Sequence, residues 1–534
     1  MTRVRGIFLQ LGDRWFVKLL SPTEALEAGA LVPWPYGPPE KPSREESFDL
    51  HGTVIIPRDP KLMEKDPPGG AHLPNFPTPS DGPLKPLAWQ AEALIKWEQA
   101  RWKGIIEAVT GSGKTFLALE AWQRLKKPGL YTLIVVPSVV LQEQWCERIR
   151  RYFPDTRVAR LGGGHHDSFA KGSILVAVIN SAVSAGSKAD ESLLLKLFDH
   201  VRHDHDARTF LIADECHHYI DAPVFSRIRT LITYSYVLAL SATVGEQYFV
   251  EGFGEIVFSY TFGDAVRDGV VPRFKLFNTP CNLFKDERRT YEDLTEKIEK
   301  QIELVRKLFR EHLSEEAEER FFQVLKSLDI QAGPNGQSHI RRLFGLLFKR
   351  SSLVYRAKHK MQTAQDVILA LVNDLEKKVI VFFERIDSAE ETHERFDFET
   401  AKSVESGIRA RIRGWSGILH SGLNKQERQD ALLHFATVGP AVLFTCRALD
   451  EGWDIPDLDA AILVASTKSA RQRTQRIGRV LRRGCGVKQP VVVTLYCENT
   501  GDVGVVARDQ ELFSDAADII SITPSMLLKE LRRQ

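Results

Sequence analysis

A phosphate-loop sequence and a late block of arginines stand hundreds of residues apart in this chain. That separation constrains the fold more than any other feature. AVTGSGKT occupies Ala108 to Thr115, and QRIGRVLRR occupies Gln475 to Arg483. A self-contained phosphate loop needs no distant cationic run. Planar guanidinium groups are suited to bidentate contact with phosphate oxygens. The pairing therefore implies a site split between two bodies, one cradling phosphates and the other docking arginines against them. At 534 residues the chain is too long for one core and suits three or four domains.

Two series of strand-like segments supply those bodies. Aliphatic runs recur at Gly104 to Ala108, Tyr131 to Val136, Ser173 to Ile179, Thr209 to Ala213 and Val237 to Leu240. They recur again at Lys378 to Phe383, Gly417 to His420, Ala441 to Thr445, Ala460 to Ala465 and Val491 to Tyr496. Strands covered on both faces read this way, and alternation with helical segments predicts doubly wound parallel sheets. The expected fold class is α/β, with tandem sheets over residues 87–284 and 368–534. Between them, residues 285–367 read as a charged helical insertion broken at AGPNGQ (Ala332 to Gln337), compact in preference to a coiled-coil-like arm. Residues 1–63 contain short β-like runs (Gly6 to Gln10, Trp15 to Leu19, Gly52 to Ile56) and are expected to form a small accessory domain. Residues 64–86, rich in Pro and Gly, are expected to be a linker or surface strap.

AVTGSGKT follows a strand and opens a helix, the context a phosphate loop requires. Thr110, Gly111, Ser112 and Gly113 form the turn, whose glycines let backbone N–H groups curl around a β-phosphate. Lys114 would neutralise β and γ oxygens, and the Thr115 hydroxyl would hold Mg²⁺. Ala108 stands where the strict pattern has glycine. About a hundred residues on, a strand ends in DECHH, Asp214 to His218. Carboxylates at that edge of a doubly wound sheet face its ligand crevice. Asp214, with Glu215, is expected to hold Mg²⁺, and Glu215 is also the group expected to orient and deprotonate the attacking water. His217 is expected to relay the nucleotide state to Ser241 or Gln475. Gln90, ahead of the first strand, has an amide able to pair with the N6 and N7 edge of adenine. ATP and Mg²⁺ are the expected cofactors.

The bulk numbers bound the rest. A 43% hydrophobic and 27% charged composition excludes a disordered or fibrous chain. Formal net charge is +2, so any nucleic-acid surface must be local. The six cysteines include no CxxC pair and fit reduced thiols better than disulfides or zinc ligands. The opening MTRVRGIFLQLGDRW has no apolar signal core, and no stretch approaches a membrane span. A cytoplasmic location is expected, or a nuclear one if the source has a nucleus.

In order, the chain carries QAEAL at Gln90, TGSGKT at Thr110, VVPSVVLQEQW at Val135, RLGGG at Arg160, ADECHH at Ala213 and SAT at Ser241. The second half adds KVIVFFE at Lys378, LHSG at Leu419, LDEGWDIP at Leu449 and QRIGRVLR at Gln475. This series, over residues 85–500, resembles the superfamily 2 helicases with two RecA-like domains. It is most similar to the XPB-like branch, with type III restriction motors as relatives. The resemblance implies an ATP-dependent DNA helicase or double-strand DNA translocase. An RNA remodelling helicase stays open, as does a motor subunit of a restriction, phage-defence or repair complex, with a protein partner at residues 1–84 or at the insertion. By the same resemblance, Arg479 and Arg482 are the arginine fingers, Arg476 helps pin the closed interface, and Gly452 and Asp454 lie beside the nucleotide; Gln475, at the head of the same block, is an expected catalytic residue.

A nucleic-acid path is expected to use Pro137, Ser138, Gln142, Gly162, Gly163, Asn180 and Ser181 in the first body. In the second it would use Arg385, His420, Ser421, Gly422 and Thr445. Small hydroxyls and glycine backbones grip phosphate without reading bases. Trp145 is expected to be core in preference to a stacking platform, and HDHD (His203 to Asp206) a solvated loop in preference to a metal site.

Overall fold

Aliphatic runs with no polar face can be satisfied only by burial on both sides, and parallel strands flanked by helices provide it. The computed structural model describes the strands within residues 2–56. From 85 to 533 it describes all but residues 128, 168–172, 180–207, 221–234, 243–248, 251, 310–320, 323–324, 326–333, 384–390, 421, 446–457, 465–469 and 482–488. The chain divides into two compact units, Met1–Leu73 and Pro74–Gln534. The smaller unit holds a five-stranded antiparallel sheet in the spatial order Leu31–Trp34, Arg14–Leu19, Thr2–Leu11, Glu45–His51, Val54–Ile56.

The larger unit holds two α/β sheets. The first has nine strands in the order Phe249–Val250, Gly254–Tyr260, Lys103–Ala108, Tyr236–Ser241, Arg208–Ala213, Leu130–Val136, Ile174–Val178, Val158–Gly162, His165–His166. Its pairs are parallel except at the two rims, where two-residue strands fold back. The second has seven strands, all parallel, in the order Trp415–Leu419, Ala441–Thr445, Lys378–Phe382, Ala460–Leu463, Val491–Cys497, Phe274–Cys281, Ala517–Ser521. Its central members are fully buried along their length, as their aliphatic sequence requires.

The strand Phe274–Cys281 revises the expected boundary at residue 284. It pairs with Val491–Cys497 on one side and Ala517–Ser521 on the other, so the second sheet begins ahead of the helical insertion. Asn278, Thr279 and Pro280 interrupt its apolar run, although Asn278 and Thr279 are fully buried. The insertion itself is compact. Helices Lys285–Leu308 and Pro334–Tyr355 share a small core of Ile298, Val305, Phe309, Ile340 and Leu343. Pro334 opens the second of these helices, where a missing N–H costs nothing.

One contiguous apolar cluster runs through the first sheet and into one face of the second, including Phe262, Phe274, Ile477 and Phe513. The rings of Phe262 and Phe513 lie 5.4 Å apart, joining the helix Phe262–Arg267 to the helix Gly504–Phe513. Among the described residues, no helix is long and apolar enough to cross a membrane.

Candidate nucleotide-binding seam and nucleic-acid path

The phosphate loop leaves the strand Lys103–Ala108 and enters the helix Lys114–Leu125. Gly111 and Gly113 take φ of 81° and 96°, the left-handed region that glycine adopts without strain. Gly113 caps the helix with no side chain of its own, leaving the first-turn N–H groups to face an anion. Buried Ser112 donates to the Val109 carbonyl at 2.7 Å and braces the turn from inside. Lys114 Nζ donates to the Ala108 carbonyl at 2.9 Å, which folds the ammonium over the loop. The Ala108 methyl is fully buried, so the chain tolerates a side chain in the usual glycine slot.

Gln90 packs against this loop. It is buried, its Oε1 accepts from Leu87 N–H at 2.9 Å, and its Nε2 donates to the Gly113 carbonyl at 3.2 Å. One bond at each end of the amide ties the helix Ala88–Gln99 to the phosphate loop.

The carboxylates lie at the end of the strand Arg208–Ala213. Asp214 is buried, and its Oδ2 accepts from Trp145 Nε1 at 2.8 Å while its Oδ1 accepts from Glu215 N–H at 3.1 Å. Burial, with the neighbouring Glu215 charge, pushes the Asp214 carboxyl up to about 6, against the pull of Trp145, Lys114 and Arg148. Glu215 takes φ of 48°, a left-handed backbone that costs a non-glycine residue on the order of 1 to 2 kcal/mol. Its Oε2 is buried with no hydrogen-bond donor among the described residues, 3.4 Å from His217 Nδ1. That His217 nitrogen meets Ser241 Oγ at 2.9 Å.

Two residues nearby were not singled out as site residues in the sequence. Trp145 is core, as expected, but its indole N–H anchors Asp214. Arg148 Nη1 donates to Thr115 Oγ1 at 2.7 Å, and burial pulls the guanidinium pKa down. Both lie on the helix Val139–Tyr152, three residues apart. An indole N–H and an arginine on the buried side of that helix were the available signal, since each needs a polar partner. A hydroxyl, a buried carboxylate and an uncapped helix start are the hard-oxygen and anion-binding groups that Mg²⁺ with a triphosphate needs. Mg²⁺ takes few protein ligands and keeps several waters.

The second sheet meets this loop through the helix Ala470–Val480. Thr110 Oγ1 donates to the Thr474 carbonyl at 3.4 Å. One turn later, a Cβ built on Gly478 would stand 1.6 Å from Thr110 Oγ1 and 3.5 Å from Phe262 Cζ. Only glycine permits this approach. Gln475 and Arg479, each one residue beyond a contact position, are half-buried on the adjoining flank. The opposite flank is anchored in the second sheet. Arg473, fully buried, pairs with Asp509 and donates to Thr494 Oγ1 at 3.0 Å, while buried Arg476 lies 5.4 Å over the Phe382 ring. Arg482, Gly452 and Asp454 lie outside the described residues.

The nucleic-acid candidates divide. Pro137 and Ser138 are half-buried at the start of the helix Val139–Tyr152, where the Ser138 hydroxyl accepts from Leu141 N–H at 3.4 Å. Gly162, Gly163 and Gly164 have φ of 99°, 62° and 85°, and Gly163 and Gly164 make an exposed two-residue hairpin turn. Such a turn needs positive φ at both positions. Gly422 is exposed and donates its N–H to His420 Nδ1 at 3.2 Å, and the His420 ring packs 4.3 Å from Phe398. Two expectations are corrected by burial. Gln142 is fully buried, donating to the Leu161 and Val176 carbonyls at 2.9 and 2.8 Å, so it supports the glycine turn from beneath. Thr445 is buried at the end of its strand. Asn180, Ser181, Arg385, Ser421 and the HDHD segment lie outside the described residues.

Residues 83–246 match the family described as "Type III restriction enzyme, res subunit", and residues 359–484 match "Helicase conserved C-terminal domain". The chain is 25% identical over 430 residues to a protein of Sulfurisphaera tokodaii named DNA 3'-5' translocase XPB2, covering 79% of this chain and 84% of that one. Among solved structures, LlaBIII is described as an ATP-dependent Type ISP restriction-modification enzyme bound to DNA. It matches 82% of this chain with a TM-score of 0.51 at 15% identity, and the chain spans only 31% of its length. S. cerevisiae Dbp5 bound to RNA and ADP BeF3 matches 84% of this chain and 94% of its own with a TM-score of 0.50 at 14% identity. These two likenesses show the fold alone: tandem RecA-like sheets. Two helicase-type domains, matched in order on this pair of sheets, place the chain among the superfamily 2 helicases, ATP-hydrolysing enzymes, with a similarity to the XPB branch.

Proposed function

We propose that the chain couples ATP hydrolysis to movement along DNA, as a helicase or double-strand translocase whose fuel site lies at the seam between its two sheets. The observation that carries this reading is the seating of Gly478 and Thr474 on Thr110, which sets the arginine helix against the phosphate loop. The named XPB relative supports DNA as the track.

In this reading the loop N–H groups and Lys114 hold the phosphates, with Lys114 exchanging the Ala108 carbonyl for phosphate oxygen. Thr115 and Asp214 hold the metal, with Glu215 beside it. When bound, Mg²⁺ neutralises charge on the β and γ phosphate oxygens. Glu215 orients the attacking water and takes its proton, its Oε2 having no donor among the described residues. His217 passes the local state to Ser241, at the end of the neighbouring strand. Arg479, with Arg482 beside it, stabilises the transferring phosphoryl group from the second sheet, and Gln475 closes the interface. Gly452 and Asp454 line its edge. Opening and closing of the seam would then shift the grip of Ser138 and the Gly162–Gly164 turn relative to His420 and Gly422.

The experiment is phosphate release measured with single-stranded DNA, duplex DNA and RNA at matched salt, because salt alone changes nucleic-acid affinity strongly. DNA-stimulated turnover is the expected result. Stimulation by RNA alone would replace the DNA assignment with RNA remodelling.

A further inference from the structure

The helix Val139–Tyr152 touches both ends of the machine. At its first turn, Gln142 is bonded to the Leu161 and Val176 carbonyls. A Cβ on Gly163 would come within 2.9 Å of Val139 Cγ1 and 3.3 Å of Gln142 Oε1, so the glycine turn rests directly on this helix. Further along, the same helix gives Trp145 Nε1 to Asp214 Oδ2 at 2.8 Å and Arg148 Nη1 to Thr115 Oγ1 at 2.7 Å. Residues three apart lie on one flank of a helix. Both groups expected to hold the metal therefore hang from one rigid element whose other end carries the exposed glycine turn.

We infer that Trp145 and Arg148 are positioning residues that transmit engagement of nucleic acid at the Gly162–Gly164 turn to the metal-holding pair Asp214 and Thr115. The inference rests on the proposed function and adds the route by which the track controls the fuel site. A phenyl ring would fill most of the volume of Trp145 without bonding to Asp214, so packing alone does not call for an indole. Thr115 keeps a lone pair for the metal while accepting from Arg148, which fixes the direction in which that lone pair points. Partners of metal ligands are worth roughly ten- to hundred-fold in metal affinity or activity when removed. A buried, low-dielectric setting strengthens such bonds.

The test uses the full chain and the variants Trp145→Phe, Arg148→Gln and Arg148→Lys. Affinity for a fluorescent ADP analogue is measured with and without Mg²⁺, alongside DNA affinity, the ratio of DNA-stimulated to basal turnover, and thermal melting. For Arg148→Gln we expect near-unchanged melting, and for Trp145→Phe a lowered but still cooperative melt, since a fully buried indole and its bond are lost; DNA affinity and metal-free ADP affinity should be unchanged in both. The affinity gained on adding Mg²⁺ should fall about ten-fold or more, and the stimulation ratio should fall with it. Arg148→Lys, which can still donate to Thr115, should restore part of both. Should Trp145→Phe fail to fold, the two Arg148 variants read the same coupling. Normal Mg²⁺ gain and normal stimulation in the variants would overturn the inference. Loss of Mg²⁺ gain with full stimulation would overturn the transmission route. A wild-type protein whose turnover ignores DNA would instead overturn the proposed function, while the metal-dependent affinities would still judge the two residues.

Discussion

Replacing Gly478 with alanine adds one methyl group at the closest approach between the two sheets. The new Cβ would lie 1.6 Å from Thr110 Oγ1 and 2.9 Å from Thr110 Cβ, whereas ordinary contact starts at 3.4 Å. If the threonine cannot turn, the helix must retreat by 3.4 less 1.6, about 1.8 Å. If its hydroxyl swings away, the Cβ pair still demands 3.4 less 2.9, about 0.5 Å. A misplacement of about 1 Å near reacting groups costs on the order of a hundred-fold in rate. Gly478→Ala should thus lower kcat by about ten- to hundred-fold. Nucleotide affinity should stay near normal, because Lys114, Gln90 and the loop glycines belong to the first sheet. The substitution also favours the helix by roughly 1 kcal/mol, so melting of the second sheet should not fall. Steady-state phosphate release, binding of a fluorescent ADP analogue and calorimetric melting read these three quantities. Adding Thr110→Ala removes the hydroxyl clash and should recover part of the rate. Wild-type kcat in the single variant would refute the argument that the seam is closed by this contact.

Other outcomes follow from particular bonds. Glu215→Gln should retain nucleotide binding and slow hydrolysis by about 10² or more; normal single-turnover rates would remove Glu215 as the base. Gln142→Leu strips donors from two buried carbonyls and should cost about 2 kcal/mol or more by urea titration. A fully stable Gln142→Leu protein that had lost DNA affinity would instead return Gln142 to the nucleic-acid path. Arg473→Met leaves Asp509 buried and unpaired and should destabilise by about 3 to 5 kcal/mol, and adding Asp509→Leu should recover most of it. A double variant no more stable than the single one would mean the pair is not an isolated electrostatic unit.

The sequence was most legible where chemistry and burial agreed. Runs such as Leu130–Val136 and Val491–Cys497 are buried at every position, and their aliphatic composition announced parallel strands. Strands that mix polar and apolar residues did not announce themselves. Phe274–Cys281 hides Asn278 and Thr279 in the interior, and Gly254–Tyr260, one strand in from the rim of its sheet, is mostly half-exposed. At the candidate site, the glycine positions and the strand-end carboxylates could be placed from spacing. The partners of those groups could not, because Trp145 and Arg148 reach Asp214 and Thr115 across the tertiary fold. Gln142 and Thr445 illustrate the converse: residue type suggested a surface grip, and only packing revealed that they are buried.

The central claim is that one hydrolytic site is assembled from both sheets, and Arg479 tests it most directly. Single-turnover hydrolysis by Arg479→Ala, measured beside affinity for a fluorescent ADP analogue, should show affinity retained and the chemical step slowed by about 10³ or more. An unchanged hydrolysis rate would contradict the account, leaving a phosphate pocket that works without its second wall.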